Sequence, residues 1–241
     1  MKILLVNDDG IAAKGLVDLA RIAVGLGEVW IAAPDQQCSA MSHRLTLGVE
    51  KAVEEYPDFP AAVKKAYSIS GTPADCVKIA LYELLPETPD VVFSGVNDGW
   101  NTGFDIAYSG TIAAALEARM NGIPAIAFST QAVSCQEVME RELLPVARRL
   151  LEEEIGDHEI WNVNFPGCSL KDYQGILWNR KVAGAPLYQS TYRRIDKGNG
   201  KFSVIETNIR TPEEDIPQGS DIKAVLQNHT SIGKVRSHVL E

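Results

Sequence analysis

The sequence predicts an α/β fold, a Rossmann-like three-layer domain with a mostly parallel sheet and a C-terminal antiparallel hairpin appendage. Three observations point there. Short continuous apolar runs at residues 3–6, 29–33 and 91–93 suit strands buried on both faces of a parallel sheet. Stretches with apolar residues at helical spacing alternate with these runs, as crossover helices do. Beyond Gly167 the alternation stops, and strand-like runs follow one another without intervening helices.

The first run breaks without a linker into Asn7, Asp8, Asp9 and Gly10. Leu16, Leu19, Ala20, Ala23 and Val24 then recur at helical spacing until Gly25 and Gly27 stop the pattern. Residues 29–33 give a second strand, ended by Pro34 and Asp35, which completes a βαβ unit of normal length. A long polar loop follows through Ser39 and His43, and a strand pattern resumes at Leu45, Thr46 and Leu47. Residues 51–65 read as a surface excursion between short strands. Residues 67–70 alternate as a strand, and a helix from Ala74 to about Leu85 follows, with Thr72 as N-cap and Pro73 at its first position. Cys76 is expected to pack in that helix.

Residues 90–93 form the next buried strand, released into a segment rich in glycines and amides from Ser94 to Asp105. Tyr108, Ser109, Gly110 and Thr111 open a helix with an apolar stripe of Ile112, Ala113, Ala115, Leu116 and Met120. Residues 124–129 supply a strand, a helix bearing Val138, Leu143, Val146 and Leu150 follows, and residues 159–166 close the alternating series. Residues 175–178 and 202–205 then read as strands of the appendage, separated by a basic, tyrosine-bearing stretch at 188–201. Arg193 and Arg194 in that stretch are read as solvated, with a phosphate contact as the alternative.

At 241 residues the chain is read as one domain over 1–241, with an α/β core at 1–166 and a β-rich extension at 167–241. A net charge of −9 suits neither a nucleic-acid duplex nor an anionic membrane, so an anionic substrate needs a local metal or helix terminus. Cys38, Cys76, Cys135 and Cys168 form no CxxC and are read as reduced thiols, which makes a cytoplasmic location the expectation. The apolar run after Lys2 stops at Asn7, too soon for a signal peptide, and no later stretch has membrane-spanning length.

The chemistry is expected at the first strand's end. In an open parallel sheet ligands bind beyond the carboxyl ends of the strands. Two adjacent carboxylates there repel unless a cation or proton lies between them. Taken alone, Asn, Asp and Gly are also ordinary turn residues. Ser39 and Asn97, however, lie beyond two further strand ends on the same edge, and the four together offer a set of oxygen ligands. Carboxylate, hydroxyl and amide oxygens suit Mg²⁺ or Mn²⁺, and no His/Cys cluster argues for zinc. Ser109, Gly110 and Thr111 at a helix entrance make an anion site from free N–H groups, hydroxyls and the helix dipole, with simple capping by Ser109 as the plainer reading.

These residues also carry a resemblance. Asn7 to Gly10, Ala33 to Asp35 with Ser39, His43 before Leu45 to Leu47, Gly71 to Val77, Ser94 to Asn97 with Gly99 and Asn101, Tyr108 to Thr111, and Asn162 to Asn164 with Pro166 closely resemble the SurE (survival protein E) family over residues 1–166. The resemblance implies a metal-dependent phosphatase acting on nucleoside 5′-monophosphates, sometimes on 3′-monophosphates or polyphosphate. It implies that Asp8, Asp9, Ser39 and Asn97 are metal ligands and that Asn101, Ser109, Gly110 and Thr111 line the phosphate pocket. It also implies a homodimer or homotetramer held through the C-terminal extension. The chain departs from the family pattern at Ala40, where glycine is usual, around 195–205, where the usual Asp-Pro-Arg-Gly and Tyr-Tyr-Trp are not visible, and at Asn228 and His229, which replace Gly-Tyr.

The expected reaction is hydrolysis at phosphorus with one Mg²⁺ or Mn²⁺ per subunit, Asp8 and Asp9 as catalytic carboxylates and the helix entrance stabilising developing charge. His43 is read as structural, with protonation of the leaving group as the alternative. A haloacid-dehalogenase-like phosphatase needs Asp-x-Asp where this chain has Asp8 beside Asp9, and a receiver domain needs an acceptor Asp and a Lys where it has Asn97 and Ser129. A non-catalytic metal- and nucleotide-binding sensor has the same ligands and differs only in releasing no phosphate.

Overall fold

A computed structural model describes residues 1–131 and 135–237. Its centre is a nine-stranded sheet. The strands are β1 (Lys2–Val6), β2 (Glu28–Pro34), β3 (Val53–Glu55), β4 (Lys65–Ile69), β5 (Val91–Asp98), β6 (Ala125–Thr130), β7 (Glu159–Phe165), β8 (Ile176–Arg180) and β11 (Thr230–Arg236), in the order β3-β4-β2-β1-β5-β6-β7-β11-β8. Strands β4, β2, β1, β5, β6 and β7 run parallel, while β3 and β11 pair antiparallel with β4 and β7. A separate two-stranded antiparallel sheet joins β9 (Tyr188–Gly198) and β10 (Lys201–Arg210).

Helices cover both faces, which explains why the central strands are apolar throughout. Helices α1 (Lys14–Ala23) and α4 (Glu137–Glu152) place Leu16, Leu19, Met139, Leu143 and Val146 in one core with Ile3, Leu5 and Phe93. Helices α2 (Pro73–Ile79) and α3 (Gly110–Met120) place Cys76, Val77, Ile112 and Ala115 in a second core with Leu4, Val6 and Val92. Alternate residues of β1 thus enter opposite layers. Each large side chain so buried contributes about 1.5–3 kcal/mol relative to exposure. A fifth helix, α5 (Asp221–Leu226), precedes β11.

The chain leaves β1 toward β2 and β4, then crosses to β5 and continues to β6 and β7 on the other side. The strand order therefore reverses between β1 and β5, and the crevice there is the fold's ligand position.

Several sequence expectations change. Residues 45–47 form no strand: the Thr46 N–H and hydroxyl both bond the Asp75 carboxylate, and Leu47 is exposed. The helix opened by Thr72 loosens into a π-helical turn over Ala80–Leu84. Strand β5 runs on to Asp98 rather than ending at Phe93, with a register shift against β6 between Ser94 and Asn97. In α3 the apolar stripe is not the buried face alone: Met120 is exposed while Glu117 and Arg119 are buried. The basic stretch at 188–201 is itself strand, forming the hairpin with β10. The extension beyond Gly167 is also not wholly an appendage, because β8 and β11 rejoin the main sheet beside β7. Short runs flanking an unusual hairpin carry no signal for which sheet they enter.

Candidate active site

Strand β1 delivers Asp8 to the switch point, and α3 holds it there. The Thr111 N–H and hydroxyl donate to the two Asp8 carboxylate oxygens at 3.1 and 2.7 Å. Gly110 makes this approach possible, since a Cβ there would lie 2.8 Å from Asp8 Cβ and 2.9 Å from Asp8 Oδ2. The Asp8 carboxyl is raised to about 6, chiefly by burial and also by neighbouring Asp9, against the Thr111 hydroxyl and N–H, which pull it down. Asp9 is also raised by burial, against hydrogen bonds from the Asp98 N–H and the Gln37 side chain that favour its charged form. Two carboxyls raised side by side favour a proton or a cation between them.

The loop after β2 brings Ser39 to the same place. It has no regular structure and is stapled instead: the Cys38 N–H donates to the Asp8 carbonyl, the Ser42 N–H to the Tyr108 carbonyl, and the Thr72 hydroxyl to the Arg44 carbonyl. His43 lies 2.8 Å from Glu117 of α3, and Lys78 is 3.5 Å from the other Glu117 oxygen. His43 does not line the cavity described next, so its contacts favour holding the loop over proton donation.

Asn97 comes from the end of β5, where Gly95, at φ +130° and packed on the Phe128 carbonyl, leaves no room for a side chain. The Asn97 amide nitrogen donates to the Gly99 carbonyl at 2.7 Å, so its oxygen is the end of the amide that could face a cation. Asn101 is held from below. Its N–H donates to Asn164 Oδ1, its Nδ2 to Ser129 Oγ, and its carbonyl accepts from the Asn162 and Asn164 amides.

A cavity of about 740 Å³ collects Asp8, Ser39, Asn97, Asn101 and Ser109 from the sheet edge. Asp9 lines a neighbouring cavity of about 380 Å³ with Lys14, Asp18 and Asp98. Thr111 and Gly110 line neither: Thr111 donates its N–H and hydroxyl to Asp8, and Ser109 Oγ accepts the Ile112 N–H as the N-cap. Of the entrance residues only Ser109 faces the larger cavity. Its hydroxyl proton stays available to an anion.

Sequence reasoning missed the far wall. Phe104, Asp105 and Tyr108 from the segment before α3, and Tyr188, Ser190, Tyr192, Glu206 and Asn208 from the hairpin, complete the cavity. Only the short apolar run at 202–205 marks this hairpin in the sequence, and the residues that face the cavity carry no apolar periodicity to announce them. Arg193 and Arg194 do not line it, and the Arg194 guanidinium instead lies 3.8 Å over the Phe202 ring.

The donor set of two carboxylates, a hydroxyl and an amide oxygen fits a hard divalent cation and not zinc. Among the described residues no group of three or more His, Cys, Asp or Glu could hold a metal ion.

The family model described as survival protein SurE matches residues 3–185. The chain is 37% identical over 239 residues to a protein named 5′-nucleotidase SurE from Clostridium botulinum (strain Loch Maree / Type A3), covering 96% of this chain and 91% of that one. It is 39% identical over 206 residues to a protein of the same name from Prochlorococcus marinus (strain NATL2A), covering 84% and 78%. The crystal structure of the Sure protein from Aquifex aeolicus superposes with a TM-score of 0.84 at 32% identity, covering 98% of this chain and 93% of that one.

Proposed function

The chain belongs to the survival protein SurE family, and we propose that it is a metal-dependent 5′-nucleotidase that hydrolyses nucleoside 5′-monophosphates to nucleoside and phosphate. The observation that carries this reading is the convergence of Asp8, Ser39, Asn97, Asn101 and Ser109 on one cavity at the switch point of the sheet. Asp8, Asp9, Ser39 and Asn97 would hold one Mg²⁺ or Mn²⁺ per subunit. When bound, the cation supplies Lewis-acid polarisation of a phosphoryl oxygen.

The chain's own residues do the rest. Thr111 fixes the Asp8 carboxylate, and Asp98 fixes Asp9 through its N–H. Ser109, at the positive end of the α3 dipole, donates to a phosphoryl oxygen, and Asn101 bounds the phosphate position from its asparagine-buttressed seat. Thr111 and Gly110 act on phosphate indirectly, through Asp8. The same site accepts 3′-monophosphates or polyphosphate to the extent that the far wall admits them.

Other features support the wider reading. The −9 net charge disfavours duplex nucleic acid and anionic membranes as partners, no helix among the described residues is long and apolar enough to cross a membrane, and all four cysteines are free thiols, as a cytoplasmic protein requires. Assembly as a homodimer or homotetramer is part of the same proposal.

Phosphate release from nucleoside monophosphates is the test, run with Mg²⁺, Mn²⁺ or chelator beside Asp9→Asn. Release should require metal and fall roughly a hundredfold in the variant, the scale of a damaged metal site. Folded protein that binds metal and nucleotide yet releases nothing would be a sensor, and the catalytic reading would be lost.

A further inference from the structure

The hairpin wall of the cavity carries a carboxylate that phosphate binding does not explain. In the β9–β10 register Tyr192 faces Glu206 and Ser190 faces Asn208, so all four share one face of the hairpin by strand alternation, and all four line the cavity with Phe104 and Tyr108. The Ser190 hydroxyl donates to Glu206 Oε1 at 2.6 Å. This fixes the carboxylate while leaving Oε2 and a lone pair of Oε1 unused. Near a phosphate dianion a carboxylate is unfavourable by simple charge repulsion. Its place on the hairpin, whereas the metal-ligand set comes from the sheet edge, suits the nucleoside end of the substrate.

Three aromatic residues line the same cavity, Tyr192 among them directly opposite Glu206 in the hairpin register. Phe104, Tyr108 and Tyr192 are 50%, 59% and 65% exposed, offering faces on which a base can stack. A cavity of about 740 Å³ is far larger than a phosphate needs and falls within the usual size for a whole small-molecule ligand.

Resting on the phosphomonoesterase reading, we infer that the Ser190–Glu206 pair reads the nucleoside, accepting two hydrogen bonds from adjacent donors such as the N1–H and N2–H edge of guanine or the 2′,3′-diol of ribose. A carboxylate offers acceptors only, so it matches a pair of donors and rejects edges that present an acceptor there. Of the bases, guanine alone presents two neighbouring donors on its pairing edge. Asn208 beside the pair supplies an amide that can donate as well as accept.

The experiment compares kcat/KM on GMP, AMP, 2′-deoxy-GMP and p-nitrophenyl phosphate for the wild type and Glu206→Gln, with Mn²⁺ present. The amide keeps the side chain's shape but puts a donor where the carboxylate had an acceptor. The ratio of GMP to p-nitrophenyl phosphate should fall by roughly tenfold or more in the variant, as expected when a charged hydrogen-bond acceptor is lost. A fall confined to the guanine nucleotides assigns the base edge. A fall shared by AMP and absent from 2′-deoxy-GMP assigns the ribose. Ratios unchanged within twofold for every nucleotide overturn the inference while leaving the phosphatase reading standing. A wild type inert toward every ester, p-nitrophenyl phosphate included, overturns the phosphatase reading and this inference with it.

Discussion

At Gly110 a single hydrogen atom decides where the principal acid sits. A methyl group there would come within 3.0 Å of Pro73 Cγ as well as pressing on Asp8, and Asp8 cannot retreat without breaking its bonds to Thr111. Gly110→Ala should therefore lower kcat/KM for phosphate release by at least about tenfold, the scale on which outer contacts tune a metal site. Circular dichroism should still report a folded chain. Wild-type activity in the variant would mean that Asp8 is not held from this side. Asp8 and Asn97 stand out in the sequence because polarity interrupts or follows an apolar strand there, whereas Ser39 lies in a polar loop and stands out only by its place beyond the second strand's end. At Thr111 the pattern alone leaves the contact open, because Ser-Gly-Thr serves equally to receive an anion from outside or a carboxylate from within, and the structure shows the Thr111 N–H and hydroxyl donating to Asp8. Ala40 is informative in the other direction: its φ of +57° is a left-handed conformation that glycine adopts freely, and alanine holds it at a cost of about 1–2 kcal/mol.

The loop that carries Ser39 is the element most dependent on its attachments. Asp75, in the first turn of α2, closes a capping box with Thr72 and also receives the Thr46 N–H and hydroxyl, so it fastens the loop to the helix. Burial pushes the Asp75 carboxyl up, but the hydrogen bonds from Thr46 and Thr72 outweigh it and hold it below the ordinary aspartate range. A depressed folded value means that the unfolded chain binds this proton first. The contribution to stability is then fully present above the unfolded value of about 4 and is lost as pH falls through the lower folded value. Urea unfolding from pH 7 downward should find Asp75→Asn about 1–3 kcal/mol less stable than wild type at neutral pH, with the gap closing below about pH 4. A gap that persists unchanged to pH 2 would mean that shape, not charge, accounts for the loss. Helix starts of this kind were readable because Thr72 and Pro73 announce them. The supposed strand at 45–47 was not, since alternation of Leu45, Thr46 and Leu47 records one half-buried hydroxyl contact and no sheet partner.

On the scale of the whole molecule, the parallel order of β4, β2, β1, β5, β6 and β7 follows from apolar runs joined by helices, and that much was visible in the chain. The insertion of β11 between β7 and β8 was not, because a seven-residue strand says nothing of its neighbour when the partners lie far away in sequence. The hairpin poses the remaining question. A two-stranded ribbon is marginal by itself in water, yet this one exposes Ile205 at 46% and Ile209 at 59% on the face turned away from Glu206 and Asn208. Burial against a second copy would stabilise apolar side chains so displayed, and for identical chains such a contact closes most simply through a twofold axis. Sedimentation should then find the wild type as a dimer or tetramer at micromolar concentration, and Ile205→Asp with Ile209→Asp as a monomer, since charges at that face cannot be desolvated without loss. These two side chains are absent from the cavity lining, so the dissociated variant separates two roles of one hairpin. If it retains phosphate release, the inner face works without a partner. If assembly survives both substitutions, the outer face is not the interface, and the exposed apolar residues need another explanation.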